Sequence, residues 1–492
     1  MSRWHTSTHP FLYEINTWPW LHGLSATAGR SIDLANVPDE QWDVIAGRGF
    51  DAVWLMGVWA RSPAGVRVAM ANSDLVSSFR EALGDFEPDD VVGSPYCIRE
   101  YVVDPALGGP AGLAAARAAL AERGLGLILD FVPNHVAPDH PWATDHPERF
   151  IQGTPDDLRD AASYFEVGGR VIANGRDPYF PAWPDVAQLN AFSPSLRTAV
   201  IDALQQIAEQ CDGVRCDMAM LVMNDTFART WGDRAGGVPA DDYWPTVIPA
   251  VRRTHPAFRF IAEAYWDLEW ALQQQGFDFC YDKRLYDRLL HDGAAQVRLH
   301  LLAELAYQEQ LVRFLENHDE PRAADVLAPA RRQVAAVTAL TQTGARLVHD
   351  GQLEGRTVHL PVFLRRFPAE ETDAELAAFY DVLLAALGDT TFRTGTWQLC
   401  DCAGWPGNDS FENLVAWCWR GDSRWLVVVN LSAASATGHV RTPWDDLRGH
   451  SVRLVDPTQD VAFDRAGDDL CDGLFVELGP WRWHLFRLEL VE

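Results

Sequence analysis

The stretch Gly213-Val214-Arg215-Cys216-Asp217 is the part of the sequence that decides the fold. It is a short run that ends in an acidic residue, as a buried strand does when it carries a side chain to the mouth of a barrel. Three other apolar runs share this design, and they end at Asp130, Glu263 and Asp319. Four carboxylates are therefore predicted at the ends of four separate strands.

Strand-like and helix-like segments alternate through most of the chain. Eight apolar runs are predicted as strands, and patterns of helical period, such as that at 195–210, separate most of them. Strands that alternate with helices favour parallel pairing, because a long crossover is needed to return the chain in the same direction. The predicted strands are 11–16, 50–55, 125–130, 213–217, 258–263, 277–280, 311–315 and 346–349.

This pattern predicts an α/β fold with three parts. A (β/α)8 TIM barrel is expected from residues 1–135 and 191–390, with active residues on the loops after the strands. Between these ranges, at 136–190, the periodicity fades and Pro, Gly, Asp and His dominate, which indicates an inserted loop subdomain after strand 3. At 391–492, short apolar runs separated by turn residues predict a C-terminal antiparallel β-sandwich with strands at 414–419, 425–430, 451–455, 474–478 and 483–488.

Composition narrows the classes of partner. The 492 residues carry a net charge of −28 with a single lysine, Lys283, so nucleic acid and anionic membranes are disfavoured as partners. No apolar run approaches the roughly 18–20 residues that span a bilayer, and the N-terminus lacks the pattern of a signal peptide. The eight cysteines match no zinc-ligand spacing, so reduced thiols in a cytoplasmic protein are expected.

Two of the strand-end carboxylates have opposite predicted environments. Arg215 precedes Asp217 by two residues, and its charge is expected to keep that carboxylate ionised, which suits a nucleophile. Glu263 stands among apolar residues, which raise a carboxyl pKa toward that of a general acid. Such a pair is typical of glycoside cleavage, and a separation of ~5–5.5 Å would indicate a retaining, covalent mechanism.

Each feature has a simpler interpretation when it is taken alone. A strand-end Asp such as Asp217 often caps the following helix, and the run 317–321 could be a turn that begins a helix. His135, His140 and His146 could indicate a metal, although polar loop histidines are commoner. The four motifs taken together favour the chemical interpretation.

The motifs carry a resemblance to a known family. The run 130–135 (DFVPNH) resembles the first signature motif of the α-amylase family, glycoside hydrolase family 13. The run 213–217 (GVRCD) resembles the second, 262–264 (AEA) the third and 314–319 (FLENHD) the fourth, in the order that the family has them. The resemblance extends over most of the chain, including the inserted subdomain and the C-terminal sandwich.

The resemblance implies roles for particular residues. Asp217 would be the nucleophile, Glu263 the acid and base, and Asp319 the carboxylate that stabilises the oxocarbenium-like transition state. Asp130 would support the site from behind. Four further residues would bind or orient the reacting sugar and the nucleophile: Tyr96, His135, Arg215 and His318.

The sequence departs from the family pattern at two places. Many relatives bind calcium, and Asn134 fits one ligand position, but Gln188 stands where calcium binders have Asp, so calcium is disfavoured and no cofactor is expected to be required. The run 218–221 (MAML) replaces the Lys-His pair of many endo-amylases, which predicts an apolar acceptor side and leaves hydrolysis and glycosyl transfer both open.

The expected function is a retaining glycoside hydrolase that cleaves α-glucosidic bonds of malto-oligosaccharides or starch-like α-glucans through a covalent glycosyl-enzyme. An α-glucan transglycosylase (a glucano- or maltosyltransferase) of the same family is the alternative, and a non-catalytic carbohydrate-binding protein is the third hypothesis. The expected partner is an oligo- or polysaccharide. Trp59, Tyr265 and Trp266 are candidate platforms on which sugars stack.

Overall fold

The computed structural model describes residues 2–491 and contains a closed barrel of eight parallel strands. Strands that follow one another in the chain are neighbours in the barrel, and the last strand pairs with the first. All eight predicted strands are present, so the barrel prediction is confirmed. The strands are β1 (Phe11–Asn16), β2 (Ala52–Met56), β3 (Gly126–Phe131), β4 (Gly213–Cys216), β5 (Arg259–Ala262), β6 (Phe279–Tyr281), β7 (Leu311–Arg313) and β8 (Ala345–His349).

The barrel strands are covered on both faces. Every residue of β1, β2 and β3 is buried, because helices cover the outer face and side chains fill the interior. Several interior side chains are charged, among them Glu14 and Arg215. Buried charges need partners, and those partners lie at the C-terminal ends of the strands, where the site is built.

Helices with one apolar face surround the barrel. In Pro194–Ala208, for example, the buried residues Leu196, Val200 and Leu204 recur every four positions, and Ser193 caps the first turn. None of the helices between residues 2 and 491 combines the length and apolar character that crossing a membrane requires. The principal helices are Thr17–Ala28, Asp39–Gly47, Pro63–Ala71, Ser73–Ala82, Gly109–Glu122, Pro194–Ala208, Asn224–Trp231, Tyr243–Arg252, Glu269–Gln274, Lys283–His291, Ala294–Leu301, Pro329–Leu340 and Ala374–Leu387.

The chain between β3 and β4 forms a small antiparallel sheet of its own. Its strands follow the order His135–Val136, Trp183–Gln188, Arg170–Gly175 and Tyr164–Val167. The sequence predicts an insertion here but not its strands, because they are short and a register shift interrupts their pairing next to Gly175. The insertion begins directly at the end of β3 and therefore borders the mouth of the barrel.

The C-terminal strands form one eight-stranded antiparallel sheet that curls over its own core. Thr396–Ala403 pairs with Leu414–Arg420 in its first half and with Ala436–Arg441 in its second half, so this strand joins the two layers of the predicted sandwich. Five of the strands were predicted, and the sandwich prediction is confirmed. The remaining strands are Arg424–Asn430, Ser451–Asp456, Val461–Ala466, Leu474–Leu478 and Trp483–Val491.

Candidate active site

A cavity of about 390 Å3 opens at the C-terminal ends of the barrel strands. Five of the seven predicted site residues line it: Tyr96, His135, Asp217, Glu263 and Asp319. The other two, Arg215 and His318, are buried next to them, with 1% and 2% of their surfaces exposed. The structure therefore brings all seven residues together, although they are spread over more than 200 positions of the chain.

Arg215 lies between the three carboxylates. Its Nη1 donates to Asp217 Oδ1 at 2.8 Å, and its Nη2 lies 2.8 Å from Glu263 Oε2 and 3.7 Å from Asp319 Oδ2. The guanidinium carbon also lies 5.1 Å from the centre of the Tyr96 ring. Because the arginine is buried, its charge is poorly screened and can orient all three acidic side chains.

Backbone hydrogen bonds fix the positions of Asp217 and Glu263. The Asp217 amide donates to the Phe131 carbonyl at 2.8 Å, and the Glu263 amide donates to the Cys216 carbonyl at 3.0 Å. These bonds continue the ladders between β3, β4 and β5 by one residue. The two carboxylates therefore extend from adjacent strand ends into the same cavity.

Glu263 is held in an environment that favours its protonated form. Its side chain is buried, and burial, followed by the nearby charges of Asp217 and Asp319, raises its pKa against the opposing effect of Arg215. Met218 N–H donates to Oε2 at 2.6 Å, and the Tyr265 hydroxyl donates to Oε1 at 3.1 Å. A buried carboxyl with a raised pKa is suited to give up a proton near neutral pH.

Met218 owes its position to an unusual backbone conformation. Its φ of 41° lies in the left-handed region, which a bulky residue seldom adopts. This turn directs the Met218 amide at Glu263 and places the side chain on the cavity wall. Met220 and Leu221 lie in the following turn and are buried, so of the run 218–221 it is Met218 that lines the apolar side of the cavity.

His318 bridges two carboxylates. Its Nδ1 lies 2.5 Å from Glu14 Oε1, and its Nε2 lies 3.0 Å from Asp319 Oδ2 and 2.5 Å from the Tyr96 hydroxyl. Burial opposes the charged form, but the charges of Asp319 and Glu14 prevail and raise the pKa of His318 to about 10. The imidazolium in turn lowers the pKa of Asp319, against the effect of burial.

Glu14 is the functional residue that the sequence reasoning missed. It lies in the middle of β1, is fully buried, and contacts the site through His318. One signal was available in the sequence, because Glu14 is the only charged residue in the predicted buried strand FLYEIN. An unexplained carboxylate in such a strand indicates a buried partner of opposite charge.

Asp130, the fourth strand-end carboxylate, lies behind the cavity. It is fully buried and accepts hydrogen bonds from Trp54 Nε1 at 3.2 Å and from the Gly57 amide at 2.9 Å. Burial raises its pKa to about 6. The interpretation of Trp59 as a sugar platform is wrong, because its ring is buried and its Nε1 donates to the Asp130 carbonyl.

The residues at the expected calcium position do not fit a cation. Gln188 Nε2 donates to the Asn134 carbonyl and to Asn134 Oδ1, both at 2.9 Å, and to the Leu189 carbonyl at 3.0 Å. The amide group thus already satisfies the oxygens that would ligate a hard cation. Residues 2–491 contain no group of three His, Cys, Asp or Glu side chains able to hold a metal ion.

Two curated proteins are similar in sequence to this chain. α-Amylase MalA of Haloarcula japonica is 26% identical over 243 residues, which cover 48% of this chain and 32% of that protein. α-Amylase 3 of Dictyoglomus thermophilum is 22% identical over 269 residues, which cover 51% of this chain and 52% of that protein. The chain therefore matches a third to a half of the length of these relatives. No protein-family model matches it.

Solved structures share the fold over nearly the whole chain. A noncanonic maltogenic α-amylase, AmyB from Thermotoga neapolitana, superposes with a TM-score of 0.69 at 19% identity and covers 99% of this chain and 100% of that chain. An α-amylase from Geobacillus thermoleovorans, solved with acarbose, has a TM-score of 0.67 at 18% identity, with 99% of both chains covered.

The barrel and its site define a class of protein. Three carboxylates around a buried arginine, at the C-terminal end of a (β/α)8 barrel, are the arrangement expected of a glycosidase. Within that class, the sequence matches, the four motifs and the shared fold all point to similarity with α-amylases. The chain is thus similar in sequence to curated α-amylases and shares the fold of solved α-amylases.

Proposed function

We propose that the protein is a retaining glycoside hydrolase that cleaves α-glucosidic bonds of malto-oligosaccharides or starch-like α-glucans. The observation that carries the proposal is the contact of Arg215 with Asp217, Glu263 and Asp319 at one cavity, where Glu263 has a raised pKa and Asp319 a lowered one. A proton donor and ionised carboxylates beside it are the groups that glycoside cleavage needs.

In the first step, Asp217 attacks the anomeric carbon while Glu263 gives its proton to the glycosidic oxygen. The C–O bond to the leaving sugar breaks as the C–O bond to Asp217 forms, which leaves a covalent glycosyl-enzyme. Arg215 holds the attacking carboxylate by the hydrogen bond to Asp217 Oδ1. Its charge then remains to stabilise Glu263, which becomes a carboxylate when it has lost its proton.

In the second step, the same groups act in the opposite direction. Glu263, now ionised, takes a proton from a water molecule, and the resulting hydroxide-like oxygen attacks the anomeric carbon. The bond to Asp217 breaks, and the sugar leaves with its original anomeric configuration. The hydrogen bonds from Met218 N–H and the Tyr265 hydroxyl keep the Glu263 carboxylate in place between the two steps.

The remaining residues bind the sugar that reacts. The lowered pKa of Asp319 keeps it ionised, so it can accept hydrogen bonds from sugar hydroxyls and stabilise developing positive charge. Burial lowers the pKa of His135, so its neutral imidazole can both donate and accept hydrogen bonds. The Tyr96 ring, fixed by His318, offers an apolar face for stacking.

Transglycosylation is the second candidate function, and one observation favours it. Met218, Trp183 and Val186 line the same cavity as Glu263, so part of the cavity wall is apolar, and Met218 lies directly beside Glu263. Such walls bind the apolar faces of a sugar acceptor better than they bind water.

A cytoplasmic location is also proposed, because all eight cysteines are free thiols and free thiols persist in a reducing compartment.

The test uses purified protein and maltoheptaose. Proton NMR of the first product should show the α-anomer, and mass spectrometry should show products shorter than the substrate for a hydrolase or longer products for a transferase. Glu263→Gln should lower kcat by about 10²–10⁴-fold, which is the usual contribution of a general acid. Glu269→Gln, at a buried glutamate that does not line the cavity, should retain near wild-type activity.

Two results would contradict the proposal. Release of the β-anomer first would exclude retention, and wild-type activity of Glu263→Gln on maltodextrins would exclude Glu263 as the acid.

A further inference from the structure

Three aromatic rings lie together on the outer face of the C-terminal sheet. Trp405 is 43% exposed, Phe475 is 52% exposed, and His439 lies half-buried between them. The ring centres are 5.5 Å apart for Trp405 and His439, 6.0 Å for His439 and Phe475, and 6.2 Å for Trp405 and Phe475. We call Trp405, His439 and Phe475 the aromatic platform.

The platform is built by the register of the sheet. His439 pairs with Phe475 on one side and with Ala403 on the other, so the three positions share one face of adjacent strands. Trp405 follows two residues after Ala403, and its ring lies against the His439 ring. The platform therefore forms with the sheet and does not depend on a flexible loop.

The turn that carries Trp405 is held in place. The Asn408 amide donates to the Trp405 carbonyl at 2.9 Å, and Asn408 Nδ2 donates to the Thr437 carbonyl at 2.9 Å. Gly404 is required here, because a Cβ at this position would collide with the Asn408 carbonyl and the Phe411 ring. An exposed tryptophan is thus positioned in advance, which lowers the entropy lost when a ligand binds.

Polar side chains border the platform on the same face. Asp401 pairs with Arg441, and Thr437 pairs with Glu477, in register positions adjacent to the rings. Among residues 2–491, the carboxylates of Asp401 and Glu477 have no ion-pair or hydrogen-bond partner. They are free to accept hydrogen bonds from hydroxyl groups, while Arg441 can donate them.

These features identify the chemistry of the ligand. Stable protein interfaces bury about 1,200–2,000 Å2 around an apolar centre, and three rings bordered directly by charged side chains offer much less. The net charge of −28, with Asp401 and Glu477 beside the rings, disfavours a polyanion. A neutral, hydroxyl-rich chain fits best, because the apolar faces of its sugars stack on the rings while its hydroxyls bind the border.

We propose that the aromatic platform is a second carbohydrate site, which binds α-glucan chains outside the catalytic cavity. The choice of an α-glucan rests on the proposed function. A polymer that touches both the platform and the cavity gains affinity from the high effective concentration of the second contact. A short oligosaccharide that occupies only the cavity gains nothing from the platform.

The test measures polysaccharide binding without turnover. In a Glu263→Gln background, migration through gels that contain soluble starch should be retarded, and Trp405→Ala with Phe475→Ala should weaken this binding about tenfold, a loss typical of removing aromatic contacts. Leu490→Ala is the matched control, because Leu490 is 64% exposed on the same sheet but lies outside the platform. Circular dichroism should show that each variant is folded.

A second measurement separates the platform from catalysis. In the active protein, Trp405→Ala should raise KM for soluble starch and leave kcat/KM for maltotriose unchanged, while Trp405→Tyr should restore starch binding. If the doubly substituted protein binds starch as tightly as the Leu490→Ala control, the platform proposal is wrong. If starch binding depends on the platform but no α-glucan is cleaved, the platform proposal holds and the proposed function fails.

Discussion

Arg215 is the residue that makes three acidic side chains compatible in one cavity. One guanidinium cannot neutralise three carboxylates, so one of the three is expected to keep its proton. Glu263 is the most buried of the three carboxylates, and its pKa is raised. Asp319, in contrast, has a second cation, His318, beside it. The different chemical roles of the carboxylates therefore follow from an unequal distribution of nearby positive charge.

The first prediction at the residue scale concerns Glu14. In Glu14→Gln the 2.5 Å contact with His318 loses its negative charge, so the pKa of His318 should fall from about 10 toward that of an ordinary histidine. We expect kcat to fall about 10- to 100-fold, the cost of weakening a hydrogen bond between charged groups. NMR titration of the His318 imidazole measures the pKa shift directly.

The control for the Glu14 prediction is a second buried glutamate, Glu269. Glu269→Gln, which removes a buried glutamate outside the cavity, should leave the His318 titration unchanged. An unchanged His318 pKa in Glu14→Gln would show that Asp319 alone maintains the imidazolium.

The roles of single residues could be predicted only in part from the sequence. The strand-end positions of Asp217, Glu263 and Asp319 follow from apolar runs that end in acids, and the structure places all three at one cavity. The contact of Glu14 with His318 could not be foreseen, because it exists only when the barrel closes. The left-handed turn at Met218 has no sequence signal, since methionine does not favour positive φ.

At the scale of elements, the inserted sheet is attached to the barrel through an amide. His135–Val136 pairs with the end of Trp183–Gln188, and the Gln188 side chain bonds to the backbone and side chain of Asn134. These hydrogen bonds occupy the position at which a cation would otherwise connect the two parts. The attachment therefore depends on neutral groups, whose strength does not vary with free metal concentration.

Because neutral groups make this attachment, the stability of the protein should not depend on calcium. The Tm of the wild-type protein should be the same in EDTA and in millimolar calcium. Gln188→Asp should lower stability in EDTA by about 1–3 kcal/mol, because a buried carboxylate would face carbonyl oxygens without a donor. Calcium should recover part of that loss. Differential scanning calorimetry measures both effects.

The matched control is Gln210→Asp, since the Gln210 amide bonds to a helix carbonyl at the surface. Its stability should not respond to calcium. A fall in the wild-type Tm in EDTA would contradict the conclusion that Gln188 replaces the ion.

The elements that could be predicted are those with a strong apolar pattern. The barrel strands are apolar on both faces, so their runs stand out from the sequence. Three C-terminal strands were not predicted: Thr396–Ala403 changes partner along its length, Ala436–Arg441 contains a glycine, and Val461–Ala466 is an almost fully exposed edge strand. Their pairing is decided by neighbouring strands, which local sequence does not contain.

At the scale of the whole molecule, the pH dependence of activity should reflect the unequal carboxylates. In the proposed mechanism Glu263 must be protonated for the first step, so kcat/KM should fall as pH rises through its raised pKa. Asp319 must be ionised in that mechanism, and because its pKa is lowered, Asp319 itself should not limit activity until the pH is well into the acidic range. A pH profile measured with maltotriose should therefore show a broad plateau with an alkaline limb above neutral pH.

Two glutamate variants test the origin of the alkaline limb. Glu14→Gln should move the alkaline limb to lower pH, because His318 then loses its positive charge at a lower pH. Glu269→Gln should leave the alkaline limb unchanged. An alkaline limb near the ordinary glutamate pKa of about 4.3 would mean that burial does not raise the pKa of Glu263.

The link between Glu14 and His318 also has a consequence for the synthesis of the protein. Glu14 lies in the first strand of the barrel, so it is translated before the other barrel strands, and His318 follows 304 positions later, after β7. The histidine acquires its second charged partner only when nearly the entire barrel has been translated and has closed. A nascent chain that ends before His318 therefore lacks the charged pair that holds Tyr96 and Asp319 in place.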